Sequence, residues 1–138
     1  MYKLLNNRFA NWFLLVFYVL FLTYFSLINS NDLHVGFLNF LHADKLVHFT
    51  IYFIMASLLY RVLYLSFTIP VNVQVVVSIA IPVVYGGIIE LMQEYLVSGR
   101  TADIFDFLAN IGGITIGVYS SWLLVKLGFD RYYVKELS

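Results

Sequence analysis

The sequence predicts an all-α bundle of about four membrane-spanning helices, on the basis of its composition, its length and the spacing of its apolar segments. Hydrophobic residues make up 62% of the 138 residues and charged residues only 12%, whereas about half of an ordinary soluble domain is apolar. A domain this small has a high ratio of surface to volume, so it could not bury that much apolar surface in water. Four stretches have the length of roughly 20 mostly apolar residues that crosses a bilayer as a helix.

The boundaries of these spans follow from polar residues and turn signals. We expect spans at about residues 11–29, 45–67, 71–92 and 105–126, in a single membrane domain covering residues 1–138. The first apolar run is longer than a signal-peptide core and ends without a small-residue cleavage site, so we interpret it as a retained span. Ile69-Pro70 predicts a turn before the third span. A short segment at residues 35–41 is expected to lie in the membrane interface.

Charge and cysteine content exclude several classes of function. The eight basic and eight acidic residues cancel, so the chain lacks the basic surface of a nucleic-acid-binding protein. The absence of cysteine excludes disulfides, thiolate metal sites and thiol nucleophiles.

The distribution of basic residues predicts the orientation in the membrane. Four spans with both termini in the cytoplasm place six of the eight basic residues inside and only Lys45 and Arg100 outside. Basic residues are retained on the cytoplasmic side, so six against two favours this topology. Arg61 lies within the second span, and its long side chain is expected to reach the inner interface.

Nine polar residues fall at one membrane depth in this topology, at the outer ends of three spans. Asp44 and His48 are four residues apart and therefore share a helix face, as do Asp106 and Asn110. Charged side chains near hydrocarbon usually point inward and pair with one another. We therefore expect Lys45 or Arg100 to lie within about 4 Å of Glu90 or Asp106, with His48 nearby. The nine residues are Asp44, Lys45, His48, Glu90, Gln93, Arg100, Asp103, Asp106 and Asn110.

A row of small residues predicts close helix packing by the fourth span. Ala109, Gly113, Gly117 and Ser121 recur every four residues, and such rows let helices approach closely in lipid. Packing is the main expectation for this row. Docking of a partner membrane protein on the Gly113/Gly117 face is an alternative.

The chemistry of the nine residues favours an anionic ligand over a metal ion. His48, Glu90 and Asp106 are an acceptable ligand set for Zn²⁺ or Mn²⁺, but Lys45 and Arg100 would repel a cation and no compact metal motif occurs. We therefore expect no metal and no cofactor. Lys45 and Arg100 instead suit a phosphate or carboxylate. His48, Glu90 and Asp106 are the candidate catalytic groups, and the other six are candidate ligand-binding residues.

The same residues resemble the VanZ family of membrane proteins. The resemblance is carried by Asp44-Lys45-x-x-His48, Glu90-x-x-Gln93, Gly99-Arg100 and Asp106-x-x-x-Asn110-x-x-Gly113, in this order over about residues 44–117. Many relatives have a proline where Ser98 stands. The resemblance implies a multi-pass protein of the bacterial cytoplasmic membrane, in a family whose founding member is linked to teicoplanin resistance. It implies no particular reaction.

Three functions remain open at this point. The first is binding or modification of a cell-envelope amphiphile, such as a lipid-linked head group, in an outward-facing polar pocket. The second is a non-enzymatic assembly subunit in which the polar residues are structural. The third, a transporter, is least favoured, because a transport path places polar residues near the midplane, where these spans offer only scattered Thr, Ser, Tyr and Gln.

Overall fold

Four α-helices make up the regular structure of the described residues, which are 7–28, 43–97 and 103–128 of a computed structural model. The helices are α1 (Arg8–Leu27), α2 (Ala43–Ser66), α3 (Val71–Leu96) and α4 (Ile104–Lys126). Each is long and apolar enough to cross a membrane, so the predicted all-α, multi-pass class is confirmed. The largest difference from the expected bounds is the end of α3, at residue 96 in place of 92. The expected interfacial segment at residues 35–41 lies outside the described residues.

The residue just before each of three helices accounts for the position of its N-terminal end. The Asn7 side chain caps α1 by accepting a hydrogen bond from the Phe9 N–H at 2.9 Å, and Asp103 caps α4 by accepting one from the Phe105 N–H at 2.7 Å. Such caps satisfy backbone donors that have no partner within the helix. Pro70 precedes α3 directly, where its missing N–H interrupts no helical hydrogen bond.

The helices α2 and α4 form the largest interface of the bundle, and glycine makes it possible. A Cβ atom on Gly117 would lie 2.5 Å from the Phe53 carbonyl oxygen, and one on Gly113 would overlap the Phe49 carbonyl oxygen. The backbones of α2 and α4 are therefore in direct contact, as the small-residue row predicted. Gly113 and Gly117 are buried against α2, which favours packing, and docking of a partner protein on this face stays a prediction.

The helix α1 packs on the bundle along one side only. The Tyr18 hydroxyl donates a hydrogen bond to the Ile51 carbonyl oxygen at 2.9 Å, and the hydroxyls of Thr23 and Tyr85 lie 2.8 Å apart. The other side carries exposed apolar side chains, including a ladder of four phenylalanine rings in contact with one another, as expected of a surface that faces lipid. The four are Phe13, Phe17, Phe21 and Phe25.

Candidate functional site

The polar residues singled out in the sequence meet at one end of the bundle. The helix α2 begins there, α3 ends there and α4 begins there. We call the eight described members the polar cluster: Asp44, Lys45 and His48 on α2, Glu90 and Gln93 on α3, and Asp103, Asp106 and Asn110 at the start of α4. The ninth predicted residue, Arg100, lies outside the described residues.

The polar cluster is graded from an exposed rim to a buried floor. The side chains of Asp44 and Asp103 are 59% and 40% exposed. Those of His48 and Glu90 are 10% and 8% exposed, and Asn110 is buried completely. A molecule that approaches from the membrane surface therefore meets carboxylates first and the histidine behind them.

Lys45 joins α2 to the beginning of α4 through two ion pairs. Its ammonium Nζ lies 2.7 Å from Asp106 Oδ1 and 3.0 Å from Asp103 Oδ2. The ion pair with Asp106 meets the expectation that Lys45 or Arg100 would contact Glu90 or Asp106. Asp103 lies just before α4, and the Phe105 N–H and then the Lys45 ammonium hold the pKa of its carboxyl below the usual value. Both interactions favour the ionised carboxylate.

A hydrogen-bonded relay connects His48 to the buried carboxylate of Glu90. His48 Nδ1 lies 3.2 Å from Asn110 Oδ1, and Asn110 Nδ2 donates to Glu90 Oε1 at 3.5 Å. An amide oxygen can only accept, so the hydrogen of this first bond is on His48 Nδ1. In the neutral ring, the lone pair is then on Nε2.

The Nε2 atom of His48 faces two further carboxylates. It lies 3.7 Å from Asp44 Oδ1 and 3.9 Å from Asp106 Oδ2, beyond hydrogen-bond distance of either. Asp106 therefore presents one oxygen to Lys45 and the other to His48. The imidazole is held by its Nδ1 side, while its Nε2 side is directed at two carboxylate oxygens, a setting that suits proton transfer or coordination of a cation.

Gln93 has a different set of contacts from the rest of the polar cluster. Its Nε2 donates to the Ser26 carbonyl oxygen at 2.9 Å, which ties the end of α3 to the end of α1. Its expected role as a ligand-binding residue stays a prediction, and its observed contact is between helices.

The described polar cluster is acidic. Asp44, Glu90, Asp103 and Asp106 oppose one lysine, and that lysine already contacts two carboxylates. The expected phosphate clamp formed by Lys45 and Arg100 therefore depends on Arg100 and on further positive charge.

Polar residues also line the bundle below the polar cluster. The Tyr52 ring contacts Gly86, where a Cβ would lie 3.1 Å from Tyr52 Cε1. The Tyr52 hydroxyl, Ser78 Oγ and Gln74 Oε1 are buried without a hydrogen-bond partner among the described residues. These three polar side chains thus face the interior, which the spacing of Gln74 and Ser78 on α3, four residues apart, could have indicated for those two.

A second polar contact, missed in the sequence, lies near the opposite end. Arg61 Nε donates to Oδ1 of the buried Asn11 at 3.2 Å. The expected extension of the Arg61 side chain to the inner interface stays a prediction. The sequence could have indicated this contact, because Asn11 and Arg61 lie at similar depths when the first two spans are antiparallel.

Comparisons with protein-family models, curated proteins and solved structures find no match to the chain. The resemblance to the VanZ family rests on the motif residues alone.

Proposed function

We propose that this chain is a VanZ-like bacterial membrane protein whose polar cluster binds, and through His48 acts on, the phosphate-bearing head group of a cell-envelope amphiphile. The observation that carries the proposal is the setting of His48, a buried imidazole held by Asn110 on Nδ1 and directed by Nε2 toward the rim. A histidine whose orientation is fixed in this way suits general acid–base chemistry.

The relay gives each member a distinct chemical role. Neutral His48 would accept a proton on Nε2 from a water molecule or a head-group hydroxyl. Glu90 lies 3.6 Å from Nδ1 and would stabilise the imidazolium that forms. Asp106, held by Lys45, would position that water or hydroxyl as its oxygen attacks the head-group phosphorus. The imidazolium would then return the proton to the oxygen whose bond to phosphorus breaks.

The charge of the ligand imposes a further requirement. Phosphate would be repelled by the four carboxylates unless positive charge is added. Arg100, three residues before Asp103 in the sequence, is the nearest basic residue along the chain and suits bidentate recognition of phosphate. We expect Arg100→Ala to weaken head-group binding while the helical content is retained.

Binding can be tested with a polyprenyl monophosphate as the probe. Native mass spectrometry of the purified protein should show this lipid retained by the wild type and retained at least ten-fold less by His48→Gln and Arg100→Ala. The matched control is Glu94→Gln, which removes an exposed carboxylate from the same end of α3 and should retain the lipid as the wild type does. Equal retention by all four proteins would refute the proposed site.

The proposal also includes a location and an orientation, namely the bacterial cytoplasmic membrane with both termini in the cytoplasm. The chain has no cysteine, so single cysteines report position cleanly. An impermeant maleimide applied to intact cells should label Leu96→Cys, at the end of the bundle with the polar cluster, but not Leu127→Cys at the other end. The reverse pattern would place the cluster in the cytoplasm and refute a role at the outer leaflet.

The alternative, an assembly subunit without enzymatic activity, is favoured by the double ion pair of Lys45. Two carboxylates on one ammonium tie α2 to α4, which is a structural contact in its own right. On this alternative, Lys45→Met and His48→Gln would lower the unfolding temperature in detergent equally, and neither would change lipid retention per folded molecule.

A further inference from the structure

Three potential metal ligands converge between the rim and the buried floor of the polar cluster. One nitrogen of His48 and one oxygen each of Asp44 and Asp106 all lie within 4.8 Å of one another. They come from two helices whose backbones are in contact, so their spacing is fixed by the fold. We propose that Asp44, His48 and Asp106 hold a divalent transition-metal ion, Zn²⁺ in the first instance.

The two histidine–carboxylate distances are close to those of a zinc site. Zn²⁺ takes imidazole nitrogen at about 2.0–2.1 Å and carboxylate oxygen at about 2.0–2.2 Å, so tetrahedral ligands lie roughly 3.3–3.6 Å apart. His48 Nε2 is 3.7 Å from Asp44 Oδ1 and 3.9 Å from Asp106 Oδ2. A contraction of a few tenths of an ångström would bring both pairs to the ligand spacing. The oxygens of Asp44 and Asp106, which lie within 4.8 Å of each other, would also have to move to that spacing.

The surrounding contacts orient two of the ligands as outer-shell partners do in metal sites. A metal-ligating histidine commonly donates its second N–H to an oxygen, which fixes the tautomer. Here Asn110 Oδ1 lies 3.2 Å from His48 Nδ1, which leaves the Nε2 lone pair directed at the two carboxylates. Lys45 occupies Oδ1 of Asp106 at 2.7 Å and leaves Oδ2 for the ion.

The charge of the cluster favours a cation at this point. Asp106 and Asp103 neutralise Lys45, the one lysine of the described polar cluster, so the repulsion that disfavoured a metal in the sequence is reduced. Asp44 and Glu90 place two further carboxyl groups close to His48. Three protein ligands would leave one position of a tetrahedral ion open, as in catalytic zinc sites. That position would take a phosphate oxygen, a role that rests on the proposed function. With the ion bound, the ion would act on the head group in place of a free Nε2 lone pair. Metal binding itself does not depend on the proposed function.

Metal binding can be measured with no lipid head group present. The full chain, carrying a tag without histidine, is purified in a non-ionic detergent, stripped with EDTA and dialysed against Zn²⁺, and bound zinc is counted by mass spectrometry. We expect one ion per chain. Co²⁺ in place of Zn²⁺ should give the visible absorption of a four-coordinate ion.

Two variants and one control locate the bound ion. Asp44→Asn changes an exposed side chain at the rim and should fold normally while its affinity for Zn²⁺ falls at least ten-fold. His48→Gln should also retain its helical content, as measured by circular dichroism, and its affinity for Zn²⁺ should also fall at least ten-fold. Glu94→Gln should bind as the wild type does. No zinc above the detergent blank, or equal binding by wild type and Asp44→Asn, would overturn the metal site and would indicate that the histidine serves only as an ion-pair partner. Lipid retention, measured separately, decides the proposed function.

Discussion

The direct contact between α2 and α4 makes a sharp prediction about two adjacent glycines. A Cβ on Gly113 would overlap the Phe49 carbonyl oxygen, whereas a Cβ on Gly112 would lie 3.5 Å from Phe49 Cδ2, an ordinary contact. Gly113→Ala should therefore separate the helices, and Gly112→Ala should not. The same chemical change at neighbouring positions provides its own control.

The magnitude follows from the geometry at Gly117, one turn further along α4. A Cβ there would be 2.5 Å from the Phe53 carbonyl oxygen, and ordinary contact begins at 3.4 Å, so the helices must part locally by about 0.9 Å. Over-packing of this kind costs about 1–3 kcal/mol. Replacing glycine by alanine in a helix gains up to about 1 kcal/mol where space allows. We expect Gly113→Ala and Gly117→Ala to be about 2 kcal/mol less stable than Gly112→Ala.

Unfolding in mixed micelles can measure this difference. The fraction of SDS is raised in a mild detergent, and the fluorescence of the two tryptophans reports the loss of tertiary packing. Gly112→Ala should unfold at the SDS fraction of the wild type or slightly above it, and the other two variants well below it. Indistinguishable midpoints for Gly112→Ala and Gly113→Ala would refute the backbone contact.

Three further predictions concern single polar groups. Ser78→Ala should leave the SDS midpoint unchanged or raise it, because the Ser78 hydroxyl is buried without a partner among the described residues. Ser57→Ala, which removes hydrogen bonds to the carbonyl oxygens of Phe53 and Gly117, should cost about 1 kcal/mol. The lowered pKa of Asp103 means that its carboxylate stabilises the folded state above the ordinary aspartate pKa and that this contribution is lost as pH falls through the folded-state pKa. Asp103→Asn should therefore unfold more easily than the wild type at neutral pH and equally easily once both are titrated to strongly acid pH.

The helices were predictable because each depends on local composition. Apolar runs of spanning length give the four helices, and Pro70 gives the boundary between α2 and α3. The row of small residues gave the close packing of α4 because only glycine leaves room for a neighbouring backbone. The partner of that row, α2, was not predictable, since spacing on one helix does not identify the facing helix.

The polar cluster was predictable as a meeting of helix ends but not in its pairings. Topology brings Lys45 and Asp106 to the same depth, and the cost of an unpaired charge near lipid requires them to pair. The contact of Gln93 with Ser26 and that of Arg61 with Asn11 depend on how α1 is rotated against the bundle. Only a three-dimensional arrangement fixes that rotation.

The backbone contact between α2 and α4 also has a mechanical consequence. The two helices touch backbone to backbone at Gly113 and Gly117, and His48 and Asp106 lie on this closely packed pair. Glu90 is attached to α3, which packs less extensively against either helix. A sliding motion of α3 therefore changes the separation of Glu90 from His48 while the separation of His48 from Asp106 stays constant. A shift of α3 would thus change the electrostatic surroundings of the imidazole and leave the packing of the helices that carry His48 and Asp106 in place.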